Sequence, residues 1–141
     1  MSDQSSHNSQ VLVLMCMDFR FHEQVVEQLK LRGIKTFDLK ADAGAVKYLI
    51  SSEKPAVRDW ILENIEIARR LHHINAVILI NHLDCGAYGG SASFQSKSEE
   101  LKFHTEQLKQ AKMIVGASFP DLKVGIMFAW LEDGQVTLKE L

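Results

Sequence analysis

Apolar residues fall along this chain in short blocks and in helical stripes, and the two kinds of segment alternate. Val11–Met15, Ala76–Ile80 and Val124–Leu131 are compact runs bounded by polar residues, which predicts strands buried on both faces. Ile34–Leu39 alternates apolar and polar side chains and reads as a further strand. Between these segments the period changes. Phe21, Val25, Val26 and Leu29 predict a helix over Phe21–Leu31, with Gly33 as its stop. A short helix is expected over Ala45–Ser51. Pro55 then opens a longer one, with Val57, Trp60, Ile61, Asn64, Ile65, Ala68 and Leu71 on one face. Ser98–Val115 is a third clear helix, with Leu101, His104, Leu108, Ala111 and Val115 inside and Lys97, Glu99, Glu100 and Lys102 on a solvated face. Tyr88–Ser93 reads as a flexible loop. Glu132-Asp133-Gly134 marks a hairpin turn, after which Val136–Leu138 returns antiparallel as an edge.

Strands alternating with helices imply an α/β fold, a mostly parallel sheet with helices on both faces. The 141 residues suit one domain, placed at 11–141 behind a polar tail at 1–10 read as disordered. A content of 46% hydrophobic and 24% charged residues fits a globular chain. No apolar stretch approaches the roughly 18 residues of a membrane span. A net charge of −2 gives no electrostatic reason to expect nucleic acid or an anionic membrane as partner. The first ten residues lack the apolar core of a secretion signal, so a cytoplasmic, reducing location is expected. In that setting the two cysteines are more often buried or metal-bound than joined in a disulfide.

Ligand sites of open α/β sheets gather outside the carboxyl ends of the strands. Two segments there carry chemistry: Cys16-Met17-Asp18-Phe19-Arg20 after the first run and His82-Leu83-Asp84-Cys85-Gly86 after the third. If their strands are neighbours, Cys16, His82 and Cys85 converge. Two thiolates and an imidazole are zinc donors, and three protein ligands leave the fourth tetrahedral position open, as in catalytic sites. Asp18 has three candidate roles: the fourth ligand, a bidentate partner of Arg20, or a cap for the following helix. Ala43, Gly44 and Gly86 border the expected site and are the candidate substrate contacts. His22 lies nearby, where an exposed helix-start histidine is the plainer account. Gly86, Gly89 and Gly90 match neither phosphate-loop pattern. Neither cysteine lies in a Cys-x-x-Cys pair, which argues against a redox module.

The two segments resemble the signature motifs of the β-class carbonic anhydrases, and the resemblance runs from Val11 to the terminal hairpin. It implies a sheet of order 2-1-3-4 with an antiparallel edge, and a homodimer or higher homo-oligomer. It also implies zinc on Cys16, His82 and Cys85, with Asp18 and Arg20 as the dyad controlling the fourth position. The implied activity is reversible hydration of CO2 to bicarbonate by zinc-bound hydroxide, since zinc lowers the pKa of a bound water toward neutrality, as is established for carbonic anhydrases. The chain departs from the family's usual pattern at Phe19, where serine is common, at Asn81, where glycine is common, and at Asp42, where asparagine is common. The helical arm that usually precedes the first motif has no counterpart here, so a minimal member is expected. Two other readings stand beside this one: a zinc hydrolase of a related small molecule such as COS or CS2, and a zinc-binding homologue without catalysis.

Overall fold

The structure, a computed structural model, describes residues 7–141. Five strands form one sheet in the order β2-β1-β3-β4-β5: β1 (Val11–Met15), β2 (Phe37–Ala41), β3 (Ala76–His82), β4 (Lys123–Glu132) and β5 (Gln135–Glu140). The β1–β2, β1–β3 and β3–β4 pairings are parallel, and β4–β5 is antiparallel. Among the described residues four α-helices complete the fold: α1 (His22–Leu31), α2 (Lys47–Ile50), α3 (Pro55–His72) and α4 (Lys97–Ser118).

Because side chains alternate across a strand, β1 and β3 each feed two cores. Val11, Val13, Met15, Ile78 and Ile80 pack with Val25 and Leu29 of α1. Leu12, Leu14, Val77 and Leu79 pack beneath Leu49 of α2, Ile61 and Ile65 of α3, and Leu108 and Ala111 of α4. Continuous apolar runs, rather than alternating ones, are what two covered faces require.

Several elements differ from the sequence expectation. β3 runs through His82 instead of stopping at Ile80, because β4 is ten residues long and keeps pairing with it, Asn81 opposite Phe128 and His82 opposite Ala129. The histidine is therefore the last residue of its strand and takes that strand's rigidity. In α3 the buried stripe is Ile61, Ile65 and Ala68, whereas Trp60 and Leu71 are exposed. Glu100, expected on the solvated face of α4, is buried at 1% exposure, while Leu101 is only half-buried. Tyr88–Ser93 is not a loose loop, since two 3₁₀ turns, 86–88 and 91–93, occupy it. Asp133 and Gly134 have φ of 50° and 76°, the positive values of a two-residue type I′ hairpin turn. Of the expected tail, residues 1–6 lie outside the described residues. Ser9 and Gln10 are fixed by N–H bonds to the carbonyls of His72 (2.9 Å) and Thr36 (3.1 Å).

Candidate metal centre

Neighbouring strands β1 and β3 bring the two motifs together. Cys16 directly follows β1, His82 ends β3, and Cys85 follows the tight turn after it. All three are buried, their donor atoms lie within 4.8 Å of one another, and the two sulfurs are 4.0 Å apart. A tetrahedral zinc ion with sulfur at 2.3 Å places two thiolates about 3.8 Å apart, so the group is near its coordinating geometry. The imidazole is oriented for the same task. Its Nδ1 lies 2.7 Å from the Leu83 carbonyl, which can only accept, so the proton sits on Nδ1 and the lone pair on Nε2. That Nε2 is buried and has no hydrogen-bond partner among the described residues. Phe21, also buried, lies against the ring at a centroid distance of 4.1 Å and fixes its plane.

The thiols interact strongly. Either sulfur can donate in the contact between them, and it draws the Cys16 pKa below its ordinary value against the opposing effect of burial, with help from His82 and the backbone N–H groups of Gly44 and Asp18. The converse raises Cys85, through the same bond and then through burial. One thiolate at this pair disfavours the second, and a bound cation is what allows both to form.

Asp18 does not cap α1. Its Oδ1 accepts from the Arg20 backbone N–H at 3.0 Å, and its carboxylate takes the Nε and Nη2 of Arg20 at 2.6–3.2 Å. This bidentate contact is the main reason the Asp18 carboxyl is held below its usual range. The Oδ2 atom lies 3.8 Å from His82 Nε2, beside the ligand cluster. The other edge of the guanidinium meets Asp84, Nη1 on Oδ2 at 3.1 Å and Nη2 on the backbone carbonyl at 2.9 Å.

Ala43 lines a depression of about 560 Å³ together with Cys16, Met17, Asp18, Phe19, Arg20 and Ala87. A second hollow of about 460 Å³ continues past Met17 to His22, Glu23, Val26, Leu39 and Ala41. Gly44 faces Cys16 with its N–H, and a Cβ there would lie 3.0 Å from the Ala87 and Lys47 Cβ atoms, so its smallness keeps two loops together. Gly86 begins the 3₁₀ turn after Cys85 and a Cβ there meets nothing within 4 Å. Asp42 pairs with Lys40 at 3.3 Å and is not among the grouped donors, so its charge is balanced. Asn81, beside His82 on β3, is buried and donates to His104 Nδ1 at 3.0 Å.

Sequence reasoning missed Glu100 and the role of Asp84. Glu100 Oε2 accepts from the Asp84 N–H at 2.6 Å, and its Oε1 accepts from the Ser91 hydroxyl at 2.8 Å. The second glutamate of a Glu99-Glu100 pair, with Lys97 and Lys102 close by, carries no sequence signal of burial. Asp84 had one, since it falls inside the His-x-x-Cys turn, where a residue must take φ of 61° and aspartate tolerates that conformation.

An uncharacterized protein of Rickettsia bellii is 31% identical over 122 residues, covering 84% of this chain and 74% of that one. An uncharacterized protein of Rickettsia conorii is 30% identical over 122 residues, covering 84% and 66% respectively. Among solved structures, the carbonic anhydrase from Streptococcus mutans shares the fold, with a TM-score of 0.57 at 14% identity over 99% of this chain and 86% of that one. The family described as "Putative carbonic anhydrase" matches residues 6–138. With nearly the whole folded chain matched and the Cys-His-Cys group assembled, the chain belongs to that carbonic anhydrase family.

Proposed function

We propose that this chain holds zinc on Cys16, His82 and Cys85 and hydrates CO2 reversibly to bicarbonate. The observation that carries the reading is the buried, bare Nε2 of His82 beside two sulfurs 4.0 Å apart. Burying an imidazole lone pair without a partner costs free energy, and a cation at that point recovers it. When bound, zinc supplies an acidified water and an electrostatic hold on developing negative charge.

The remaining work falls to the chain. Met17, Phe19, Ala43 and Ala87 offer apolar surface beside the donors, suited to a small uncharged substrate. Asp18 sits where it can accept a hydrogen bond from a water at the cluster. Arg20 keeps that carboxylate ionised and turned aside, so Asp18 orients a proton without storing it. A homodimer belongs to the same reading. Met17, Phe19 and Leu39 stand exposed at 64%, 81% and 49% around the depressions, an apolar collar that a second copy would cover. Light scattering on wild type and Phe19→Asp should give a dimer and a monomer; a monomeric wild type removes this part.

Stopped-flow CO2 hydration by the zinc-loaded protein tests the activity, with Cys85→Ser, which removes one of the three donors, as the control. Turnover that requires both zinc and Cys85 is expected. A zinc-loaded protein with no turnover across neutral and alkaline pH would overturn the reading.

A further inference from the structure

Asp84 is pinned at every polar atom it has for the purpose. Its N–H is taken by Glu100 Oε2 at 2.6 Å, its Oδ1 accepts the Ser91 N–H at 2.8 Å, and its Oδ2 and backbone carbonyl both accept from Arg20. The residue is held at φ of 61°, a left-handed conformation that aspartate tolerates better than most side chains. Gly90 completes the cradle, since a Cβ there would stand 3.0 Å from Asp84 Oδ1. Glu100 comes from α4 and is buried, so the chain of contacts runs from a rigid helix to the guanidinium.

Arg20 therefore has two carboxylate partners on two edges. An ion pair as exposed as Arg20–Asp84 adds little stability by itself. Its consequence is positional, because the guanidinium it anchors is the group that holds Asp18 beside the ligand cluster.

We propose that Asp84, locked by Glu100 and Ser91, is a positioning residue that fixes Arg20 and thereby keeps the Asp18 carboxylate away from the fourth metal position. This deepens the zinc reading above and rests on it. Loosening Arg20 frees Asp18 to compete for the ion with any exogenous ligand. A purely electrostatic role predicts the opposite sign, since removing a carboxylate favours an incoming anion.

The test uses the full chain loaded with Co2+ in place of zinc, titrated with azide and followed by visible absorption. Asp84→Asn keeps the size of the side chain and turns its charge off. Losing one charge-assisted hydrogen bond should weaken azide binding about tenfold, in the same direction as Arg20→Ala. In an Arg20→Ala background, Asp84→Asn should produce no further weakening, which a merely structural defect would not reproduce. Should Asp84→Asn not fold, Ser91→Pro removes both the N–H that holds Oδ1 and the hydroxyl that holds Glu100, leaves the Asp84 and Arg20 charges in place, and should weaken azide binding with the same sign. Azide affinity unchanged or tightened in the folded variant, with Arg20→Ala weakened, overturns the proposal and leaves the zinc reading intact. A wild type that takes up no Co2+ overturns both.

Discussion

Acidification should expose the cost of burying His104. The residue lies on α4, fully buried, ringed by Tyr88, Phe94, Phe103 and Phe128 at centroid distances of 4.8–6.0 Å. Its Nδ1 accepts from Asn81, which places the proton on Nε2, an atom without a hydrogen-bond partner among the described residues. A second proton would have to enter at Nδ1 and face the Asn81 amide N–H, donor against donor. Burial pushes the His104 pKa down to about 4, with a smaller push from His82. In the unfolded chain the value is near 6.5. Between those limits the unfolded state binds a proton that the folded state refuses, so stability falls as pH falls. At pH 5 the loss relative to neutral pH is about 2 kcal/mol, from 1.36 kcal/mol per pKa unit over the part of the window already crossed. Below about pH 4 this contribution levels off. Urea unfolding from pH 7 to 5, on protein stripped with a chelator, compares wild type with His104→Leu, which removes the titration. The wild type should lose about 2 kcal/mol more than the variant over that interval. Parallel pH profiles for the two proteins would refute the assignment of His104 as a buried neutral base.

Three further outcomes follow from particular contacts. Phe21→Ala should cost about 3–5 kcal/mol in urea unfolding, as for other buried aromatics, and weaken zinc retention in a chelator competition because the His82 ring loses its backing. Asp42→Asn should change stability by less than about 1 kcal/mol and leave zinc content unchanged, since the carboxylate it removes is paired with Lys40 and lies outside the donor group. Glu100→Ala should destabilise by about 1–3 kcal/mol for each group it orphans, the Asp84 N–H and the Ser91 hydroxyl, while Glu100→Gln should recover most of the loss in the same assay.

The parts of this structure legible from sequence were those set by repeated local pattern. Apolar runs identified β1, β3 and β4, Pro55 marked the start of α3, and Asp133-Gly134 fixed the hairpin. The metal-donor trio was legible because soft donors at strand ends are uncommon and the parallel order places β1 beside β3. What escaped was decided by tertiary contact. β3 gained two residues from a partner strand long enough to pair with them. Trp60 looked like core because its spacing matches the stripe, yet the helix turns it outward toward Lys40 at 6.0 Å. Glu100 looked like solvent-facing charge, and only the turn at Asp84, far from it in sequence, explains why a carboxylate is buried there. Asn81, a departure from the family's usual glycine, proves to be the hydrogen-bond partner of His104.

The account rests on one ion held by two sulfurs and one imidazole. X-ray absorption at the zinc edge of the purified, metal-loaded chain tests this most directly. Two sulfur neighbours at about 2.3 Å and an imidazole nitrogen at about 2.0–2.1 Å are predicted, with the sulfur contribution halved in Cys85→Ser. A first shell of oxygen and nitrogen alone, or a spectrum indifferent to Cys85→Ser, would contradict it.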